Sequence, residues 1–351
     1  MNRALIVDVP EVTNFVSALF EAAGLAPDAA KRVADALIDA DVSGRGSHGI
    51  QLADLYLERL VNGTMSTASK PELVSEDGGC VVLDAADMEG HLAAEEAMKI
   101  AIAKAREFGV SAVSMRRVFH CGVMGRYIRM AAEEGCAAFA MCNVKPLMAA
   151  PGGLERLVGT NPIAIGFPVE NHAPVILDMA TTEGAMGSIR QKLAAGEKLP
   201  ENWALDAEGN STTDPAEALA GFLLPVGGAK GFGLSFVIDL LSGALATGGF
   251  GSTLGELAGD KPYNASLLFI VLDINRFRAL DAFLKETRAG VERVQNSKKA
   301  EGTDRIFVPG ERSAEAIETN NGTIPVSLTA AKALRERAFK LSVPIPAILE
   351  I

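Results

Sequence analysis

The sequence lacks the short motifs that most often identify a nucleotide or metal site. No GxGxxG follows a predicted strand and no GxxxxGK[ST] occurs, so neither a Rossmann unit nor a P-loop is predicted. The nearest match, GAKGFG at residues 228–233, has the wrong spacing for either motif. The four histidines form no HExxH and no pair at helical ligand spacing, so no metal site is predicted. A nucleotide site in this chain must therefore be built in another way.

Positive charge, cysteine and long apolar runs are scarce as well. The 33 basic residues against 44 acidic ones give a net charge of −11, which repels nucleic acid and anionic membrane surfaces. The four cysteines form no CxxC pair, which is typical of free thiols in a reducing compartment. No unbroken apolar run approaches the roughly 18 residues of a membrane span, and the first residues do not resemble a signal peptide. We therefore expect a cytoplasmic protein with no nucleic-acid or membrane partner.

What is present favours a large globular fold. Hydrophobic residues make up 48% of the chain and charged residues 22%, which is enough to build a sizeable core. Apolar residues recur at helical spacing between residues 11 and 64 and again between 329 and 340. We expect an N-terminal helical unit over residues 1–75, a central cofactor- and substrate-binding region over 76–325, and a C-terminal helix within 326–351 that packs back on the first unit.

The central region alternates short apolar segments with helical ones. Helices are predicted from Ala93 to Phe108 and, with the composition of a buried element, from Leu234 to Leu245. Tyr56 belongs to the apolar pattern of the N-terminal helices. Strands are predicted at residues 81–83, 110–114, 136–142, 163–167, 175–177 and 267–272.

Two histidines lie beside glycines and are candidate functional residues. His48 comes directly before a predicted helix, where Ser47 could form the cap and the positive helix end would lower the pKa of the imidazole. His120 precedes Gly122 and Gly125, which would let a ligand or another backbone come close. Each has an alternative interpretation: a surface imidazole at a cap for His48, and a hydrogen-bonded loop histidine for His120.

Two charged residues further along the chain are candidates for ligand contacts. Asp178 ends a predicted strand, a position that often faces a ligand, although a helix cap explains it equally well. Lys230 lies among glycines before a predicted helix and would suit a phosphate or carboxylate, although a solvated loop lysine is the commoner case. Neither residue identifies a reaction by itself.

Taken together and in this order, these segments resemble the malate/L-lactate dehydrogenase-like family. The resemblance covers about residues 10–340, and no single motif within it is specific. The matching motifs are SHGI at 47–50, HCGVMGRY at 120–127, GTNPIAIGFP at 159–168, DMAT at 178–181, LPENWALDAEGNSTTDP at 199–215, GGAKGFGL at 227–234 and VPGE at 308–311.

Membership of this family implies a fold and a reaction. The fold is a non-Rossmann α/β (α+β) architecture in which a largely antiparallel sheet flanked by helices binds the cofactor and both chain ends build a helical domain. The reaction interconverts a small 2-oxo acid and its 2-hydroxy acid with NAD or NADP, in a homodimer whose active site lies near the subunit interface. Two alternatives stay open: reduction of a cyclic imino acid, and a catalytically silent homologue that only binds a dinucleotide.

The resemblance also implies roles for residues at matching positions. Histidine, with an ordinary pKa of about 6.5, suits proton transfer to and from the substrate oxygen near neutral pH. His48 is the expected proton donor, with Ser47 beside it, and His120 is expected close to the substrate or nicotinamide. The expected cofactor contacts are these two histidines together with Gly122, Asp178, Met179, Ala180, Thr181, Thr182, Lys230, Gly231, Pro309, Gly310 and Glu311.

The chain departs from the family pattern in the substrate pocket. Many relatives carry an arginine where this chain has Leu52, and that arginine can hold a substrate carboxylate with two hydrogen bonds. Val118-Phe119 replaces Ser-Asn before the second histidine, which favours a more apolar pocket. Another cation must then bind the carboxylate, and four are candidates without a ranking: Arg45, Arg126, Lys145 and Arg190.

Overall fold

The computed structural model describes residues 4–320 and 322–349. Its strands are β1 (Ala4–Asp8), β2 (Glu72–Asp77), β3 (Cys80–Asp84), β4 (Val110–Val118), β5 (Cys136–Cys142), β6 (Ile163–Val169), β7 (His172–Met179), β8 (Ala204–Leu205), β9 (Ser211–Thr212), β10 (Phe222–Leu223), β11 (Ala265–Asp273) and β12 (Thr323–Ser327). Its α-helices are α1 (Val9–Ala22), α2 (Pro27–Val42), α3 (Ala53–Val61), α4 (Gly90–Phe108), α5 (Gly125–Glu133), α6 (Met186–Ala195), α7 (Pro215–Ala220), α8 (Ala229–Asp239), α9 (Leu280–Gln295), α10 (Glu311–Thr319) and α11 (Leu328–Leu341).

A seven-stranded sheet in the order β2-β3-β4-β11-β5-β6-β7 forms the centre of the molecule. Strands β3 and β4 run parallel, and the other neighbouring pairs of this sheet are antiparallel. The central strand β11 is almost continuously apolar, which is typical of a strand buried on both faces. Helix α4 packs on β4 and β11, and α5 packs on β5 and β6. The predicted non-Rossmann, largely antiparallel α/β fold is confirmed.

Helix α4 shows how local sequence builds the layer beside this sheet. The Glu89 carboxylate accepts a hydrogen bond from the Leu92 N–H at 3.0 Å and so caps the first turn. Gly109, at a φ of 88°, ends the helix in a conformation that favours glycine. The buried face of α4 is rich in alanine, which lets the helix axis lie close to the sheet. The helix predicted from Ala93 to Phe108 therefore lies within the observed one.

The two ends of the chain lie side by side. β1 pairs antiparallel with β12, and α11 packs on α3 and α1. The buried Arg337 guanidinium donates hydrogen bonds to Asp54 at 2.7 Å and to Glu58 at 2.5 Å, which ties α11 to α3. β2 includes residue 75 and β12 includes residue 326, so each predicted boundary falls inside a strand. The division into three units stays a prediction.

Helix α8 differs from its prediction as a buried helix over residues 234–245. It spans Ala229–Asp239 and continues into a π-helical turn over Leu240–Ala244. One side contacts β5 and β11, whereas Phe236 is 47% exposed and Leu245, just beyond the turn, is 58% exposed. Apolar composition therefore predicted the element correctly but not the burial of its outer side.

Candidate active site

His48 lies on two 3-10 turns, within residues 46–52, that connect α2 with α3. The Asp41 carboxylate, near the end of α2, accepts a hydrogen bond from the Ile50 N–H at 2.7 Å. A Cβ at Gly49 would collide with this carboxylate, so glycine permits the close approach. These contacts hold the turns against α2.

Ser47 does not form the predicted helix cap, because the 3-10 turns intervene before α3 begins at Ala53. Its hydroxyl is hydrogen-bonded to Nδ1 of His48 at 2.9 Å instead. On its other side Ser47 meets α6, where a Cβ at Gly187 would come within 2.7 Å of the Ser47 Cβ. The segment that carries His48 is therefore enclosed between α2 and α6.

The structure brings the two predicted histidines together. The rings of His48 and His120 are stacked, with centroids 5.5 Å apart and an interplanar angle of 20°. His120 reaches this position because it follows β4, which ends at Val118 beside the N-terminal helices. Both rings are half-buried, so each keeps a route to a ligand.

Both imidazoles are neutral near pH 7. Burial lowers the pKa of His48 to about 4, and the charges of Arg45 and His91 act in the same direction. Burial also lowers the pKa of His120 well below its ordinary value of 6.5, with His48 and His91 adding to the effect. A neutral imidazole can accept a proton at one nitrogen and donate an N–H from the other.

Tyr56 is a site residue that the sequence analysis missed. Its hydroxyl is hydrogen-bonded to Nδ1 of His120, and its ring meets that imidazole edge-on at a centroid distance of 6.0 Å. The apolar helical pattern around Tyr56 predicts a core side chain, which is correct for the ring but not for the hydroxyl. The sequence could have suggested this contact, because the hydroxyl of a buried tyrosine usually requires a hydrogen-bond partner.

Glu89 and His91 form a second pair that the sequence analysis missed. Both side chains are buried, and Nδ1 of His91 lies 2.7 Å from Oε1 of Glu89. The His91 ring lies 5.9 Å from the ring of Tyr56. The pair therefore forms a buried layer behind the two stacked histidines, and its spacing in sequence gave no sign of this.

Gly122 and Asp178 are positioned by contacts within the chain. Gly122 has a φ of 68°, and a Cβ there would collide with Nε2 of His91. Asp178 Oδ2 accepts a hydrogen bond from the Gly125 N–H at 2.8 Å, so it bonds to the first turn of α5, which is distant in sequence, and does not cap a helix that directly follows it. Burial raises the pKa of the Asp178 carboxyl, against the lowering by that N–H and by Arg45.

Thr181, just beyond the end of β7, contacts Gly231 in the first turn of α8. The N–H and the hydroxyl of Thr181 both donate to the Thr160 carbonyl, at 2.9 and 3.0 Å. The Thr181 carbonyl accepts from the Val226 N–H at 3.0 Å. A Cβ at Gly231 would come within 3.0 Å of that same carbonyl, so the first turn of α8 packs directly on residue 181.

The predicted cofactor residues next to this contact have unused polar groups. The Thr182 hydroxyl is buried and has no hydrogen-bond partner among residues 4–320 and 322–349. Lys230 is exposed in the first turn of α8, one residue before Gly231. Met179 and Ala180, which precede these residues at the end of β7, are half-buried.

The Pro309-Gly310-Glu311 segment lies along β7. The Pro309 carbonyl accepts from the Ile176 N–H at 3.0 Å, and Gly310 has a φ of 91° where a Cβ would meet that strand. The buried Glu311 carboxylate accepts from the Val308 N–H at 3.0 Å. Pro309 and Gly310 thus contact β7 two residues before Asp178, whereas the Glu311 carboxylate is turned towards its own loop.

The four candidate cations for a substrate carboxylate are no longer equivalent. Arg126 is paired with Glu95 and Asp39, and Lys145 is paired with Glu256. Arg45 and Arg190 are exposed and have no ion pair within the part of the chain that the structure describes. The charge of Arg45 lowers the pKa of both His48 and Asp178. Arg45 therefore lies near both the histidine pair and the end of β7.

No group of three or more His, Cys, Asp or Glu side chains within residues 4–320 and 322–349 is placed to hold a metal ion. No helix in these same ranges is long and apolar enough to cross a membrane.

The sequence and the fold both match one family of oxidoreductases. The sequence profile described as malate/L-lactate dehydrogenase matches residues 7–335, and the chain belongs to this family. Malate dehydrogenase from Pyrococcus horikoshii is 34% identical over 339 residues, which cover 94% of each chain. The solved structure of malate dehydrogenase from Entamoeba histolytica matches with a TM-score of 0.93 at 29% identity, over 98% of this chain and 100% of that one. The family prediction and its dehydrogenase class are confirmed.

Three further matches carry a cofactor or a different substrate in their names. Ureidoglycolate dehydrogenase (NAD(+)) from Escherichia coli K12 is 34% identical over 82% of this chain and 83% of its own length. (2R)-3-Sulfolactate dehydrogenase (NADP(+)) from Chromohalobacter salexigens is 33% identical over 89% and 94%. The structure of delta1-piperideine-2-carboxylate reductase from Pseudomonas syringae matches with a TM-score of 0.84 at 28% identity, over 95% and 99%.

Proposed function

We propose that the chain is an NAD- or NADP-dependent dehydrogenase that interconverts a small 2-hydroxy acid and its 2-oxo acid. The observation that carries this proposal is the stacked pair His48 and His120, two neutral imidazoles beside the cationic Arg45, in a chain of a dehydrogenase family. Malate and sulfolactate, which appear in the names of relatives, are both 2-hydroxy acids.

The residues around Thr181 and Gly231 fit a bound dinucleotide. A buried hydroxyl without a partner costs free energy, and a ligand that hydrogen-bonds to Thr182 would recover it. Lys230 offers an exposed cation to a phosphate, and Gly227 and Gly228 beside it have open space where a Cβ would be. Met179 to Thr182 and Lys230 would therefore hold the cofactor, with Pro309 and Gly310 along the neighbouring strand.

His48 is the group that moves the substrate proton in this proposal. When bound, NAD(P) supplies the acceptor for the hydride that leaves the alcohol carbon of a 2-hydroxy acid. The neutral imidazole of His48 takes the hydroxyl proton as the carbon–oxygen bond becomes a carbonyl, and it returns that proton in the reduction. Because Ser47 is bonded to Nδ1, Nε2 is the nitrogen of His48 that is left for the substrate.

Arg45 is the cation that we assign to the substrate carboxylate. Its charge acts on His48, which a substrate hydroxyl must reach, and no carboxylate of the described chain forms an ion pair with it. The Arg45 guanidinium would thereby bind the carboxylate in place of the arginine that many relatives carry at the position of Leu52. A carboxylate bound there would place the adjoining hydroxyl carbon near the histidine pair.

An activity screen tests this proposal. Oxidation of NADH and NADPH is followed with oxaloacetate, pyruvate, 2-oxoglutarate, phenylpyruvate and a cyclic imino acid, and cofactor binding is measured in parallel by calorimetry. Turnover with any 2-oxo acid supports the proposal and identifies the cofactor. Turnover confined to the imino acid indicates an imine reductase, and cofactor binding without turnover indicates a catalytically silent homologue.

We also infer that two copies of the chain associate, in the cytoplasm, where the four free cysteines stay reduced. The apolar outer side of α8 and its π-helical turn, with Phe236, Val237 and Leu245 exposed, continues from the proposed cofactor loop at Lys230. Contiguous apolar surface of this kind is typical of a protein interface. Phe236→Asp should give a monomer by light scattering, whereas Phe339→Asp, at an exposed phenylalanine on α11, should not.

A further inference from the structure

The Tyr56 hydroxyl and Nδ1 of His120 form a hydrogen bond whose direction depends on which ring nitrogen of His120 carries the proton. Tyr56 is fully buried in α3, and its ring is held edge-on against Phe119 at a centroid distance of 5.0 Å. Packing therefore fixes the direction in which the hydroxyl points. That hydroxyl meets Nδ1 of His120.

The direction of this hydrogen bond follows from the acceptors that are available. Within residues 4–320 and 322–349 the Tyr56 hydroxyl has two, Nδ1 of His120 and the His120 carbonyl, which lies at 3.4 Å. If Nδ1 carried a proton, it would donate to the phenol oxygen, and the phenol proton would be left with the distant carbonyl. If Nδ1 is instead unprotonated, it accepts a hydrogen bond from the phenol, and the phenol proton then has a close acceptor.

The phenol stays a donor over the ordinary pH range. Burial raises the pKa of Tyr56 well above its usual value, and the negative charge of Glu89 acts in the same direction. The hydroxyl therefore keeps its proton, and the bond to Nδ1 does not reverse as the pH changes.

We propose that Tyr56 is a positioning residue that holds His120 in the neutral form with its proton on Nε2, so that His120 presents an N–H donor to the substrate oxygen. The substrate contact rests on the proposed function, whereas the tautomer is a property of the free protein. His48 differs, because the Ser47 hydroxyl at its Nδ1 can either donate or accept and so fixes no tautomer. The two rings then have separate tasks: His48 exchanges the proton, and His120 stabilises the oxygen that loses or gains it.

Nitrogen NMR of the full chain labelled with ¹⁵N-histidine tests the tautomer directly. Only four histidines contribute signals, and the set that disappears in His120→Gln assigns the ring. We expect long-range ¹H–¹⁵N spectra to show His120 with a bare Nδ1 and a protonated Nε2. A protonated Nδ1 in the unmodified protein would overturn the proposal.

Two tyrosine variants test whether Tyr56 sets this state. Tyr56→Phe removes the hydroxyl and keeps the packed ring, so His120 should become a mixture of tautomers. Tyr263→Phe is the matched control, because the buried Tyr263 ring also meets His120 edge-on, at 6.4 Å, without a hydrogen bond to it in the described chain. An unchanged His120 tautomer in Tyr56→Phe, or an equal change in both variants, would contradict the assignment.

The kinetic readout separates this proposal from the proposed function. Loss of tautomer control in a catalytic triad costs up to about 10⁴-fold, and we expect kcat of Tyr56→Phe to fall at least about tenfold with the KM for the cofactor unchanged. An inactive wild-type chain with a protonated Nε2 would reject the dehydrogenase proposal and leave the tautomer assignment intact. An active wild-type chain whose kcat survives Tyr56→Phe would reject the positioning role alone.

Discussion

His48 and His120 stack at a centroid distance of 5.5 Å, although one lies between α2 and α3 and the other follows β4. Two imidazolium ions at this spacing repel each other, so protonation of one ring opposes protonation of its neighbour. The buried His91, whose charge would act on both rings, strengthens this opposition. The pair therefore gains at most one proton beyond its neutral form, which suits a site that takes up and releases a single proton.

Replacement of His48 by glutamine should reduce turnover without loss of cofactor affinity. A positioned proton-transfer group contributes roughly 10²- to 10⁴-fold to rate, and we expect kcat to fall within that range. His172→Gln is the matched control, because Nδ1 of His172 is bonded to the Ala173 carbonyl at 2.6 Å, in β7. Near-normal turnover in His48→Gln would remove His48 from the mechanism.

The pH profile of oxidation should extend far to the acid side. The base must be deprotonated to accept the hydroxyl proton, and burial lowers the pKa of His48 to about 4 in the free protein. The value of kcat/KM for a 2-hydroxy acid should therefore fall only as the pH drops through about 4 and stay level from there to neutral pH. A midpoint at the ordinary histidine value would mean that His48 is not the titrating base.

Arg45→Ala should raise the KM for the 2-hydroxy acid much more than the KM for the cofactor. The loss of one charge-assisted hydrogen bond is worth about 1.5–3 kcal/mol, or roughly 10- to 150-fold in affinity. Arg190→Ala is the informative comparison, since Arg190 is the other exposed candidate without an ion pair in the described chain. If the KM rises in Arg190→Ala instead, the carboxylate is bound from α6.

Lys230→Ala should mainly weaken cofactor binding. Lys230 is exposed in the first turn of α8, beside the Thr181 and Gly231 contact, where a cofactor phosphate would meet it. Calorimetric titration with NAD and NADP measures the effect, and Lys198→Ala, at an exposed lysine after α6, is the control. A rise in the KM for the substrate alone would move Lys230 to the carboxylate site.

Asp41 should make the stability of the protein depend on pH. Burial raises the pKa of its carboxyl from 3.8 to about 7, against the lowering by the Ile50 N–H. Because the folded protein then binds the proton more tightly than the unfolded chain, the free energy of unfolding should fall as the pH rises from 3.8 to about 7. At about 1.4 kcal/mol per pKa unit, the loss reaches at most about 4 kcal/mol.

Asp41→Asn removes this dependence and keeps an oxygen acceptor for the Ile50 N–H. As the pH rises from 3.8 to about 7, the unfolding free energy of Asp41→Asn should therefore increase relative to that of the wild type. Urea denaturation at about pH 5 and about pH 8 measures it. A difference that is the same at both pH values would contradict the account of Asp41.

The sheet could largely be predicted from the sequence, but the pairing of the chain ends could not. The segment predicted at 136–142 coincides with β5 because it is a continuous apolar run, and the one at 329–340 lies within α11 because its apolar residues recur at helical spacing. β1 and β12 have five residues each, and they are stabilised by each other across the length of the chain. A local window does not report such a pairing.

The site could be predicted only where a residue stands beside a revealing neighbour in sequence. His48 was predicted from its place before a helix and His120 from the glycines that follow it, and the family motifs supported both predictions. Tyr56, His91 and Asp41 were missed, because each acts through a contact with a segment that the fold, not the sequence, brings close. The exposed side of α8 was missed for a related reason, since apolar composition does not say which chain covers it.

Transfer of deuterium tests the central claim most directly. Malate and lactate labelled with deuterium at C2 are incubated with the protein and NAD or NADP, and the cofactor is analysed by mass spectrometry. The account predicts that deuterium appears on the nicotinamide in the wild-type protein and appears much more slowly in His48→Gln. Deuterium that never reaches the nicotinamide of a bound cofactor, with these acids or the wider panel, would contradict the proposed dehydrogenase.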